Sequence, residues 1–254
     1  MYLRRVVPLL LAVGLPLAGL FTGPLQAQPV PENFTPAQRA EIVQIVREAL
    51  KADPSILRDA VGALQADDAR AQEAASRAAI GQAGAALSGT PGDPVAGNPA
   101  GNVTLVEFYD LRCPYCRAML PVMRSLLASD AKLRVVFKDI PVLGPGSVLG
   151  ARAVLAAQKQ GGYLQLQDAV MTGPAQITED SLHAAADKAG LDWSRLRHDM
   201  DDPAIQARIN ANLALAQSLG VQGTPVFVAG GKMLPGAVPL DQLQAVVAAA
   251  RMRS

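Results

Sequence analysis

"VTLVEFYDLRCPYCRAMLPVMRSLLAS", residues 103–129, is the stretch on which the fold turns. Its first seven residues, Glu107 apart, are β-branched, aliphatic or aromatic, which predicts a buried strand. Further on, Met119, Val122, Met123, Leu126 and Leu127 recur at helical spacing. Between the two elements stand Cys113 and Cys116, the 2 cysteines of a 254-residue chain. A Cys-X-X-Cys at a strand-to-helix junction places Cys113 in the first helical turn, where unpaired amides and the helix dipole favour a thiolate. Cys116 is expected deeper, suited to resolving a mixed disulfide from within. Pro114 fixes the helix start without adding a competing donor, and Tyr115 brings no positive charge to the pair. A purely structural disulfide is the competing reading. Closing so short a loop stabilises by only about 2 kcal/mol, and a core of this size does not need it, so redox chemistry is favoured.

Outward from that window, "KLRVVFKDI" (132–140) reads as a second strand, and Ser147 to Leu219 as mostly helical, with breaks at Gly161-Gly162, Gly190 and Pro203. "TPVFVAGGKMLPG" (224–236) reads as a short hairpin. Leu240, Leu243, Val246, Val247 and Ala250 mark one face of a closing helix. The expected class is α/β: a thioredoxin-like fold over 103–254 with a helical insert at about 147–219, preceded by an α-helical stalk. Lys138 and Asp139 either flank the site or form a solvated pair. Met119 and Met123 read as core, with a soft-metal edge as the alternative. His183 and His198 fit no zinc spacing, and Trp193 reads as a packed aromatic.

The N-terminus "MYLRRVVPLLLAVGLPLAGLFTGPLQAQ" sets Arg4 and Arg5 before an apolar run, the pattern of a signal peptide over 1–27; an uncleaved anchor is the alternative. Export to the periplasm is expected. Residues 28–87 read as helix: Ile42, Ile45, Val46, Ala49 and Leu50 form one stripe, and Ile56, Leu57, Ala60, Val61 and Leu64 a second. Thr35-Pro36 and Asp53-Pro54 are the start signals. These stripes either dock on the following domain or pair with other copies. Because 88–102 holds four glycines and three prolines and reads as a linker, self-association into a homo-oligomer is expected. A net charge of +1 without a basic stripe argues against nucleic acid.

"VEFYDLRCPYCRAMLP" (106–121) resembles the active-site segment of the DsbA-like thiol:disulfide oxidoreductases, and "GVQGTPVFVAGG" (220–231) resembles their cis-proline loop. "FKDIPVLGPGS", "GLDWSRLRHDM" and "ADPSIL" narrow the resemblance to the ScsC, or suppressor of copper sensitivity, type. The resemblance implies that Cys113 attacks and Cys116 resolves. It also implies that Glu107 is a buried acid taking the proton of Cys116, against the plainer reading of a solvent-facing strand glutamate. Pro114, Tyr115, Thr224 and Pro225 would bind substrate, with the Thr224–Pro225 bond cis. It further implies a dimer or trimer acting as a disulfide isomerase on misfolded or reduced exported proteins, reset by a membrane redox partner, with no cofactor or resident metal. A dithiol oxidase and a Cu(I)-binding, copper-tolerance protein using the same cysteines are the alternatives.

Overall fold

The computed structural model describes residues 34–253, so the segment expected as a signal peptide, 1–27, lies outside the described residues. The chain divides between Gly62 and Ala63 into two units. In the first, α1 (Pro36–Ala52) opens on a capping box: the Gln38 amide donates to the Thr35 hydroxyl at 3.3 Å and the Thr35 amide to the Gln38 side chain at 2.9 Å. Asp53 then accepts the Ser55 amide at 3.0 Å and starts α2 (Ser55–Ser88). No residue of α1 is buried, and Ile45, Val46, Leu57 and Val61 all stand at least half exposed.

The second unit is built on a five-stranded sheet of order β1-β3-β2-β4-β5. The strands are β1 (Val95–Gly97), β2 (Val103–Tyr109), β3 (Leu133–Asp139), β4 (Val226–Ala229) and β5 (Lys232–Pro235). β2 and β3 run parallel, as a strand–helix–strand crossover through α3 (Pro114–Ser129) requires, and the remaining pairs are antiparallel. Gly230 and Gly231, at φ 53° and 81°, supply the positive dihedrals of the two-residue β4–β5 turn. Both faces of the sheet are covered, which is why β2 and β3 are each buried at all but one position, the charged Lys138 and Asp139 of β3 included. On one face Leu105, Tyr109, Phe137 and Phe227 join a core with α3, α9 (Leu240–Arg251) and the helical insert. On the other, Val106, Phe108, Val136 and Val228 meet Ile80 and Leu87 from the end of α2.

The insert comprises α4 (Pro145–Ala157), α5 (Tyr163–Thr172), α6 (Glu179–Lys188), α7 (Trp193–Asp199) and α8 (Pro203–Ser218). Trp193 stacks on His183 with ring centroids 4.8 Å apart, so both residues are accounted for by packing. This architecture is the thioredoxin-like plan with an inserted helical domain.

Two expectations change. The stretch 88–102 is not a free linker: it contributes β1 to the sheet edge, and the Pro94 carbonyl accepts the Phe137 amide at 3.0 Å. Asp93 within it is buried and bonds Lys138 at 2.7 Å and Arg208 at 2.7 Å. Lys138 and Asp139 are therefore no solvated pair. As strand neighbours they point to opposite faces, Lys138 toward Asp93 and Asp139 toward Tyr109 and Tyr163.

Candidate active site

β2 ends at Tyr109 and hands the chain to a tight turn in which the Cys113 amide donates to the Asp110 carbonyl at 3.0 Å. Cys113 is the N-cap of α3, with Pro114 in the first helical position, so its sulfur sits at the helix end where amides lack partners. From the far side comes the loop ahead of β4. The Cys113 thiol lies 3.2 Å from the Thr224 carbonyl oxygen, and the Thr224–Pro225 bond is cis. Two segments 111 positions apart in sequence thus meet at one sulfur. Cys113 is only 4% exposed and Cys116 1%; Pro114 and Tyr115 are exposed beside them.

Both cysteines are free thiols. Burial pushes the Cys116 thiol well up, a Glu107 charge adds to that, and the Asp110 amide and Thr224 hydroxyl oppose it. Beneath Cys116, Glu107 and Cys116 share a cavity of about 150 Å³ with Met123, Phe137 and Gln167. Glu107 is 4% exposed. Burial pushes it up to about 8, with the charge of Asp139 adding to the effect. Asp139, also buried, is pushed up to about 7 by desolvation. Hydroxyl bonds from Tyr109 (2.7 Å) and Tyr163 (2.9 Å) pull it the other way. The arrangement can hold one thiol neutral in the interior next to a carboxyl that titrates near neutrality, while a second thiol waits at a helix end.

Asp139, one of the two residues expected either to flank the site or to be solvated, does flank it; Asp110, Tyr163 and Arg117 also belong to this neighbourhood and were not singled out from sequence. Arg117 crosses from α3 to the insert, where its guanidinium donates to the carbonyls of Val170, Gly173 and Pro174 at 2.8–2.9 Å. Its place directly after Cys116 was visible, but its partners more than fifty residues on were not. Asp110, next to Tyr109 at a strand end, carried only the faint signal of a turn-forming residue.

Fold and site together define a thioredoxin-fold dithiol protein. Residues 104–248 match the DSBA-like thioredoxin domain, and residues 38–71 match the N-terminal domain of the copper resistance protein ScsC. The chain belongs to the DSBA-like thioredoxin domain family, with an ScsC-type N-terminal segment. It is similar to a thioredoxin-like oxidoreductase from Silicibacter pomeroyi, 42% identical over 66% of this chain and 97% of that one, TM-score 0.64. A linker-deletion mutant of Proteus mirabilis ScsC is 26% identical over 89% of this chain and 100% of that one, TM-score 0.65. Among curated proteins, Na(+)/H(+) antiporter NhaA 3 of Salinispora tropica is 30% identical over 63% of this chain. The chain spans about a quarter of the length of that antiporter and of two further NhaA antiporters it matches. No helix among the described residues is long and apolar enough to cross a membrane.

Proposed function

We propose that the protein is a periplasmic thiol:disulfide oxidoreductase working as a disulfide isomerase on exported proteins. The observation that carries this reading is the Cys113 sulfur, at the N-cap of α3 and 3.2 Å from the Thr224 carbonyl. A client strand lying along Thr224 would bring its own disulfide to that sulfur, with Pro114, Tyr115 and Pro225 around it. The Cys113 thiolate attacks one client sulfur; a Cys113–client disulfide forms, the client disulfide breaks, and the departing client thiolate takes a proton. In isomerisation another client thiolate then attacks the mixed disulfide, so Cys113 leaves as thiolate and nothing is oxidised overall. In the alternative exit Cys116 attacks, Glu107 receiving its proton; the intramolecular disulfide forms and the client leaves reduced by two electrons. A membrane redox partner would then reset the pair.

The exposed stripes of residues 34–62, and the ScsC-type match over 38–71, support a homo-oligomer, dimeric or trimeric. Several Cys113 sites around one client raise the local thiol concentration and favour reshuffling over release. The test is recovery of activity by a scrambled multi-disulfide client. Cys113→Ser is expected to be inert, whereas Ile45→Lys/Leu57→Lys should lose most reshuffling yet still exchange with a single-disulfide peptide. A Cys113→Ser protein as active as wild type would end the enzymatic reading.

A second reading, Cu(I) carriage, draws on the two thiols one helical turn apart, since soft thiolates suit that ion. Among the described residues no third Cys, His, Asp or Glu joins them in a metal-holding group, so the ion would be a two-thiolate cargo. Cu(I) titration of wild type against Cys116→Ser would test it, the variant being expected to lose tight binding.

A further inference from the structure

Asp110 is 2% exposed and its carboxylate is saturated by donors from two separate segments. One oxygen accepts the Arg112 amide at 2.8 Å and the Ser147 hydroxyl at 2.8 Å. The other accepts the amides of Val142 and Leu143 at 2.9 and 3.1 Å. The same residue's carbonyl receives the Cys113 amide, and Arg112 reaches across to the Leu143 carbonyl. A single side chain therefore ties the cysteine turn to the loop between β3 and α4.

That loop leaves two large apolar side chains in water, Val142 at 52% and Leu143 at 44% exposure. Val142 lines a groove of about 340 Å³ with Ile140, Leu213 and Val221, and its far wall runs through Gln222 to Gly223, the residue before Thr224. No charged side chain lines it. The groove thus ends one residue from the Thr224 carbonyl that faces Cys113, and its chemistry suits a neutral, apolar group.

We propose that Asp110 is a positioning residue, holding Val142 and the cysteine turn in register so that the groove receives an apolar side chain flanking the client's cysteine. The inference rests on the oxidoreductase reading and specifies its substrate: extended segments whose cysteine has apolar neighbours. An asparagine at position 110 has one acceptor oxygen, so it serves one donor pair and sets its own N–H groups against the other. The Asp110→Asn substitution therefore unlocks one of the two segments while preserving shape.

The experiment measures thiol–disulfide exchange of the full chain with two disulfide-linked decapeptides, identical except for Leu or Ser on both sides of the cysteine. Wild type is expected to prefer the Leu peptide about tenfold through KM, since partial burial of a leucine is worth about one factor of ten. Asp110→Asn and, independently, the surface variant Val142→Asp should reduce that preference to about twofold or less, and Val142→Leu should restore it. Equal reaction of wild type with both peptides, or a preference that survives in Val142→Asp, would overturn the inference while leaving the oxidoreductase reading in place. A wild type inert toward both peptides would overturn the oxidoreductase reading, and this inference with it.

Discussion

Glu107 shows how far one buried carboxyl can couple stability to pH. The folded protein holds its proton to about pH 8, whereas an unperturbed glutamate releases it at 4.5. Between those values the native state binds more protons than the unfolded chain, so the stabilisation is complete at the acid end and is lost as pH rises through about 8. Asp139, raised to about 7, acts with the same sign. Thermal unfolding should therefore shift downward from pH 5 to pH 8. Glu107→Gln should flatten that dependence and raise Tm at pH 8 by on the order of 5 °C. The same titration has a kinetic face. If Glu107 takes the Cys116 proton, resolution of a mixed disulfide by Cys116 accelerates as pH climbs through about 8, and the Gln variant loses the acceleration. A Gln variant with the wild-type pH profile would remove Glu107 from the proton path. That Glu107 stands on the strand six residues ahead of Cys113 was legible in the sequence. Its burial beside Asp139 was not, because that depends on Phe137 and Asp139 arriving on the neighbouring strand.

Among the elements, β1 was the least legible. Three residues among glycines and prolines carry no periodicity to read, and what makes them a strand is the exposed edge of β3. Asp93 anchors that attachment. Its carboxylate is 1% exposed and faces Lys138, itself 3% exposed, and Arg208 of α8. Asp93→Ala would strand the Lys138 charge in the interior and is expected to cost about 3–5 kcal/mol in urea unfolding. An unchanged midpoint would show that water reaches Lys138 readily. By contrast α1, α3 and α9 followed from spacing and start signals alone, because Thr35, Pro36 and Pro114 act within one turn of themselves. α5 was harder to assign: Gly161 and Gly162 signal a stop, and the helix beyond them is defined by its packing in the insert, where Leu166 is wholly buried.

For the whole molecule, the unanswered demand is the apolar surface of residues 34–62. Ile42, Ile45, Val46, Ile56, Leu57 and Val61 are 41–58% exposed, a surface that association with further copies would bury. Analytical ultracentrifugation of the full chain should give a mass of two or three copies, and Ile45→Lys/Leu57→Lys should bring it to one without moving the main unfolding transition. A monomeric wild type would refute the assembly. The sequence alone determined the class of fold, the redox pair and the two amphipathic helices, because Cys-X-X-Cys, capping residues and apolar periods act over a few neighbouring positions. Only the tertiary structure decided that Thr224 meets Cys113, that Asp110 joins the cysteine turn to the Val142 loop, and that Asp139 rather than solvent lies near Glu107. Those contacts link positions some thirty or more apart, and such distances are set by chain topology and packing, which no local pattern records.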